Sequence, residues 1–130
     1  MSINTYVDPR EREDIRAHEG ENVWVVLNQV HAEKREAFEH FLHHILMPAV
    51  AHVHPETYNK VRVLHPIKSN DDDTYTYIFL MDPVLPDGSY EIENILYEYY
   101  KPEEVKEYMK IWEESLVAPQ AGYDLVQSAW

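Results

Sequence analysis

The chain has 130 residues, enough for one domain with a substantial core, and its composition excludes several classes of protein. Eleven basic and 24 acidic residues give a formal net charge of −13, so the surface repels nucleic-acid phosphates and anionic lipid headgroups. There is no cysteine, which excludes disulfides, thiolate metal sites and cysteine nucleophiles. With no apolar span and no export signal, the sequence predicts a cytoplasmic protein that binds neither nucleic acid nor membrane.

Residues 1–21 are predicted to form a charged arm or short surface helix, and residues 22–130 a single domain. Asp8 suits an N-cap, Pro9 suits the first helical position, and Gly20 can end a helix. Few apolar residues lie between these signals, so the segment can bury little surface.

The first predicted strand, at residues 23–30, is apolar at consecutive positions instead of alternating. Such a strand is covered on both faces. About two substantial helices can cover only one face of a small sheet. We therefore expect a second copy of the chain to cover the other face and predict a homodimer.

A helix is predicted over residues 33–53, where apolar residues recur every three or four positions. Pro48 lies inside this pattern and has no N–H to bond to the carbonyl of residue 44. We expect a break near Met47, with Pro48 opening a second helical segment. The helix should end at His54, because the residue before a proline avoids the helical region.

Three histidines, His40, His43 and His44, lie on the side of this helix opposite its apolar stripe. We interpret them as a solvent-exposed face, since no carboxylate motif accompanies them and no metal site is predicted. Their protonation should relieve the net negative charge and make the protein tolerant of mild acid.

The remaining elements follow from β-branched and aromatic runs, proline positions and polar turns. They are strands at 57–65 and 74–82, helices at about 90–100 and 102–116, and a last strand at 123–130. The chain order is therefore strand, helix, strand, strand, split helix, strand.

This layout resembles the dimeric α+β barrel superfamily, which includes the antibiotic-biosynthesis-monooxygenase-like families. The resemblance covers residues 22–130 and rests on the element order, the proline within Ile45-Leu46-Met47-Pro48-Ala49-Val50, the split second helix and the short last strand. It implies an α+β fold, a ferredoxin-like β-α-β-β-α-β unit whose sheets face each other across a two-fold axis. Members include cofactor-independent monooxygenases, haem-degrading enzymes, isomerases, cyclases and proteins with no known activity.

The ferredoxin-like topology brings the ends of the first two strands to one edge of the sheet, which makes Asn28, His31 and His65 the catalytic candidates. Asn28 is an amide in an apolar strand and needs hydrogen-bond partners. The monooxygenase and haem-degrading branches resemble this stretch in carrying an asparagine late in the first strand, where it contacts substrate. The two histidines could titrate near neutral pH. The alternatives are an asparagine bonded to backbone and ordinary polar residues at element boundaries.

Tyr58, Tyr77 and Trp112 are the candidates for ligand binding, because their rings could line a pocket and hydroxyl groups could orient an apolar ligand. The alternative is that they are core or interface aromatics. No histidine follows His65, so the second helical region cannot supply the haem ligand of the haem-degrading members. We predict no cofactor.

The sequence thus predicts a homodimer that binds a small apolar or aromatic molecule between its sheet and helices. Two functions stay open. One is a cofactor-independent monooxygenase-like or isomerase/cyclase-like enzyme; the other is a non-catalytic ligand-binding or interaction protein of the same fold. The sequence does not specify the substrate or the sheet edge that holds the pocket.

Overall fold

The computed structural model describes residues 16–129, and the elements in this range follow the predicted order. The strands are β1 (Asn22–His31), β2 (Val61–Leu64), β3 (Thr74–Met81) and β4 (Ala121–Val126). The helices are α1 (Arg35–His40), α2 (Met47–Val53), α3 (Pro55–Lys60), α4 (Ile92–Tyr99) and α5 (Pro102–Ser115). A 3₁₀ turn (Ala32–Lys34) precedes α1, and a π-helical segment (Phe41–Leu46) joins α1 to α2.

The four strands form one sheet in the order β2-β3-β1-β4, and every neighbouring pair is antiparallel. Across the β1–β3 pair, Trp24 lies opposite Met81 and Asn28 lies opposite Tyr77. This order, with helical connections after β1 and β3, is the ferredoxin-like arrangement. The predicted α+β class and the split second helix are confirmed.

The helices pack on one face of the sheet and enclose the core. Alternate residues of β1 and β3 point toward them, including Val26, Val30 and Phe79. Trp112 of α5 lies at the centre of this core. Its ring is 5.6 Å from the ring of Phe38 and 6.1 Å from that of Phe79. Trp112 therefore packs α5 against both α1 and the sheet.

The opposite face of the sheet is mainly apolar, with Arg62 of β2 opposite Leu80, and the described helices leave it uncovered. By the alternation of strand residues it carries Val25, Leu27 and Leu80, none of which belongs to the helix-covered core. On the edge strand β4, Tyr123 and Leu125 of this face are 53% and 49% exposed. We call this surface the open face.

The predicted break at Pro48 is confirmed, since α2 begins at Met47 with Pro48 in its first turn. The residues before it form the π-helical segment. Because Pro48 has no N–H, the α-helical hydrogen bond to the carbonyl of His44 cannot form, and a wider turn is the local solution. Nearby, the Tyr100 hydroxyl donates to the carbonyl of Ile45 at 2.7 Å. That bond ties the π-helical segment to the end of α4.

The predicted strand at 57–65 is wrong over its first four residues, which belong to α3. Pro55 ends α2 as predicted, but it also opens α3, because its fixed φ and missing N–H suit the first position of a helix. Glu56 adds an acidic residue in the first turn, which the helix dipole favours. Only Val61–Leu64 remains extended.

The end of the domain also differs from prediction, while its start is only partly described. Residues 1–15, which hold most of the predicted arm or short helix, lie outside the described residues. Residues 16–21 form a bend and a turn, and Ala17 is buried, with its N–H donating to Asp82 Oδ1 at 2.7 Å. The last strand ends at Val126. From residue 16 to residue 129, no helix has the length and apolar character needed to cross a membrane.

Candidate functional site

A cavity of about 150 Å³ lies between the sheet and the helices, toward the end where β1 begins and β3 finishes. Inward-facing strand residues form its floor, and α2, α3, α4 and the loop after β3 form its walls. The lining residues are Trp24, Val26, Leu46, Met47, Val50, Thr57, Val61, Val63, Phe79, Met81, Ser89, Tyr90, Ile92, Ile95 and Gln120. Both layers of the fold therefore contribute to one mainly apolar space that is partly open to solvent.

An aromatic pair closes one side of the cavity. The rings of Trp24 and Tyr90 are 5.1 Å apart and inclined at 59°. The Tyr90 hydroxyl accepts a hydrogen bond from the N–H of Leu85 at 2.8 Å, and burial raises the pKa of this phenol. A Cβ added at Gly88 would lie 2.7 Å from the Tyr90 ring. The loop can pack this tightly on Tyr90 because position 88 is glycine.

The polar part of the lining is small and uncharged. No aspartate, glutamate, lysine, arginine or histidine in the described part of the chain lines the cavity. Thr57 is 4% exposed, and its hydroxyl makes no hydrogen bond to another group within residues 16–129. Ser89 and Gln120 supply the other side-chain oxygens besides that of Tyr90. The walls of the cavity can thus contact an apolar molecule and offer it a few neutral hydrogen-bonding groups.

Asn28 is fully buried next to this space and does not line it. Its Nδ2 donates to the carbonyl of Tyr77 at 3.2 Å, and its Oδ1 accepts from Gln120 Nε2 at 2.7 Å. Gln120 is a lining residue, so it connects Asn28 to the cavity. Both of the amide's polar atoms have partners, as a buried amide requires.

A second polar group forms around the hydroxyl of Tyr77 at the surface of α1. This hydroxyl donates to Glu39 and accepts from Arg35 Nε at 3.2 Å. Burial, together with the bond to Glu39, raises the pKa of Tyr77 to about 12. Arg35 also lies over the ring of Tyr75, 3.9 Å from its centroid. Tyr77 is therefore a neutral phenol held between two charged side chains.

Two histidines extend this polar group toward solvent. The Glu39 carboxylate lies 3.7 Å from His65 Nδ1, and His65 Nε2 lies 2.8 Å from His43 Nε2. One imidazole must donate and the other accept, so a single proton lies between these two nitrogens. Burial, with the nearby His65 adding to it, lowers the pKa of His43. We call Arg35, Glu39, His43, His65 and Tyr77 the tyrosine–histidine cluster.

The other predicted site residues lie apart from one another. His31 borders a surface groove with Tyr75 and Asp72. Tyr58 is 42% exposed and borders a second groove, next to α2. Trp112 lies in the core and does not reach the cavity.

The structure therefore brings three of the six candidates together and separates the rest. Tyr77 contacts both Asn28 and His65, whose ring meets its own at 5.3 Å, while His31, Tyr58 and Trp112 stand elsewhere. None of the six lines the cavity. Their roles in catalysis or binding stay predictions.

The cavity residues themselves were missed, although a signal for part of them exists in the sequence. Trp24 and Val26 alternate with Asn28, so they share its face of β1. The turn containing Gly88 precedes Tyr90 and indicates a close approach of backbone to a side chain. Neither signal shows that α3 would bring Thr57 to the same space.

Within the described residues, the exposed histidines of α1 and the π-helical segment are not grouped with other ligands so as to hold a metal ion. His40 and His44 stack at 5.0 Å between ring centroids. Across residues 16–129, no three or more histidine, aspartate or glutamate side chains are grouped so as to hold a metal ion.

No protein-family model and no curated protein matches the sequence. Among solved structures, the chain is similar to that of a candidate antibiotic biosynthesis monooxygenase from Caulobacter crescentus CB15. The two are 11% identical, with a TM-score of 0.46, and the match covers 84% of this chain and 91% of that chain. The fold of this chain is defined by the strand order and pairing described above. The similarity to that protein does not establish an activity for this chain.

Proposed function

We propose that this chain is a small-molecule-binding protein that holds an apolar or aromatic ligand in the cavity between sheet and helices. The observation that carries the proposal is the cavity itself, about 150 Å³ and mainly apolar. Protein interiors are close-packed, and an apolar space of this size loses packing contacts unless it is filled. An engineered apolar cavity of about this volume stays dry and binds benzene.

The lining supports binding more strongly than catalysis. A cofactor-independent oxygenase-like or isomerase/cyclase-like reaction needs a base close to the substrate. Tyr90 is the one titratable residue in the described lining, and burial raises the pKa of its phenol. His31 and His65 do not reach the cavity. We therefore favour non-catalytic ligand binding, with catalysis at the Asn28–Gln120 pair as the second candidate.

We further propose that the protein is a homodimer joined through the open face. The support comes from the residues of that face, which include Val25, Leu27 and Leu80 at its centre and the half-exposed Tyr123 and Leu125 on β4. Two such apolar sheet faces can pack about 10 Å apart. A second copy supplies the matching surface, and the uncharged centre avoids the repulsion expected between chains of net charge −13.

The experiment that tests ligand binding uses the methionine methyl groups as reporters. Met47 and Met81 line the cavity, whereas Met109 of α5 does not. Addition of toluene to protein carrying 13C-methyl methionine should shift the Met47 and Met81 signals in a saturable way and leave Met109 in place.

The matched control fills the cavity. Val26→Phe places a larger side chain on the cavity floor and should abolish the toluene-dependent shifts while Met109 keeps its position. Unsaturable shifts of all three methyl groups, or no shift at Met47 and Met81, would refute ligand binding at this cavity.

A further inference from the structure

We propose that the cavity selects an uncharged molecule with a single six-membered ring that carries one hydroxyl or carbonyl group, and that the Thr57 hydroxyl holds this group. The inference rests on the proposed ligand-binding function and adds the size, the charge and the polar anchor of the ligand.

The size limit follows from the volume of the cavity. At about 150 Å³, it matches the volume of an engineered apolar cavity that binds benzene. A fused two-ring molecule would extend through the open side of this space and lose apolar contact with the walls. The walls near the aromatic side, Trp24 and Tyr90, are held by their mutual contact and by the loop at Gly88.

The charge limit follows from the lining and from the whole chain. An ion in this cavity would leave water without meeting a charged partner, since the described lining has none. An anion is also repelled by the net charge of −13. A cation would find no carboxylate there to replace its hydration shell. The ligand is therefore neutral.

The anchor follows from the position of Thr57. This residue is 4% exposed, and its hydroxyl bonds to no other group within residues 16–129. No side-chain oxygen or nitrogen in the described residues is both fully buried and unpartnered, so the Thr57 oxygen must still reach open space.

That open space has two sides. Thr57 lines the cavity and also a surface groove bordered by His54 and Leu85, and it is the one residue common to both linings. A polar group on the ligand can therefore meet the Thr57 hydroxyl at the side from which the ligand enters. This hydrogen bond would fix the ring in one orientation.

The test compares benzene, phenol, benzoate and 1-naphthol as probes, with the Met47 and Met81 methyl shifts as the readout. Phenol should bind the natural protein about 3- to 10-fold more tightly than it binds Thr57→Val, the effect of one neutral hydrogen bond. Benzene should bind both proteins equally. Thr57→Ser keeps the hydroxyl and should keep the tight binding of phenol, while benzoate and 1-naphthol should bind more weakly than phenol.

The outcomes separate the two proposals. If neither benzene nor phenol shifts Met47 and Met81, the proposed ligand-binding function is wrong. If both bind but Thr57→Val leaves phenol affinity unchanged, or benzoate or 1-naphthol binds as tightly as phenol, the further inference is wrong and ligand binding stands. Loss of phenol affinity in Ser89→Ala instead of Thr57→Val would also overturn the role of Thr57. An unchanged Met109 signal confirms that each variant is folded.

Discussion

Tyr77 links the buried side of the sheet to the charged surface of α1, and its hydroxyl is the point of contact. It donates to Glu39 and accepts from Arg35, while its ring is fully buried. Replacing it by phenylalanine keeps the ring and removes both bonds. We expect Tyr77→Phe to lower the free energy of unfolding at neutral pH by about 1 to 2 kcal/mol.

The pH dependence of this variant has a defined sign. The folded-state pKa of Tyr77, about 12, lies above its ordinary value of 10.0. The stabilisation by the neutral Tyr77 hydroxyl is therefore complete below pH 10 and is lost as the pH rises toward 12. At pH 11 the difference in the free energy of unfolding between the natural protein and Tyr77→Phe should be smaller by about 1.4 kcal/mol. Urea unfolding of both proteins at pH 8 and pH 11 measures this difference.

For His43, the structure predicts an effect of acid on stability opposite to the one expected from net charge alone. Protonation of the exposed histidines was expected to stabilise a chain of charge −13. The pKa of His43 is lowered by burial and by His65, so the unfolded chain takes up this proton more readily than the folded one. The neutral His43 side chain therefore adds to the free energy of unfolding above its ordinary pKa, and this contribution is lost as the pH falls below about 6.5.

We expect His43→Gln to reduce the loss of stability between pH 7 and pH 5, because the variant no longer has the imidazole whose pKa is lowered in the folded chain. Thermal unfolding followed by circular dichroism across this range provides the measurement. Equal slopes for the natural protein and His43→Gln would show that the histidine pair does not control acid stability.

At the scale of elements, the end of α4 is joined to the π-helical segment by one hydrogen bond. The Tyr100 hydroxyl donates to the Ile45 carbonyl at 2.7 Å, and its ring packs on Tyr108 of α5 at 5.0 Å. Tyr100→Phe keeps the ring packing and removes the bond. It should cost about 1 kcal/mol in chemical unfolding. Tyr97→Phe on the exposed side of α4 is the control and should cost nearly nothing.

The loop after β3 gives a second test at this scale. A methyl group at Gly88 would meet the Tyr90 ring at 2.7 Å, whereas one at Gly122 of β4 would have nothing within 4 Å. Gly88→Ala should therefore displace Tyr90, destabilise the protein by about 1 to 3 kcal/mol and weaken toluene binding. Gly122→Ala should change neither quantity. Equal toluene affinity in the two variants would mean that Tyr90 is not a wall of the binding space.

For the molecule as a whole, the sequence predicts the topology better than it predicts the site. The consecutive apolar residues of β1 and the proline at position 48 are local signals, and the structure agrees with both. The site depends on contacts between distant segments, such as Gln120 with Asn28, which no local pattern encodes. Thr57 illustrates the difference, because its β-branched side chain suggested a strand while Pro55 determined a helix.

The open face should determine whether two copies of the chain form a dimer. Leu27 lies on β1 at the centre of this face, between Ile78 and Ala121, where a carboxylate would have to be buried between two sheets without a charged partner. We expect the natural protein to sediment at twice its chain mass of 15.4 kDa and Leu27→Asp to sediment at 15.4 kDa. Tyr123→Asp, at the half-exposed edge strand, should weaken the dimer without affecting the core. Tyr97→Asp, on α4 and away from the open face, should stay dimeric. Leu27→Asp and Tyr123→Asp proteins that both keep the double mass, or a natural protein that is monomeric at high concentration, would show that the open face is covered by something other than a second copy.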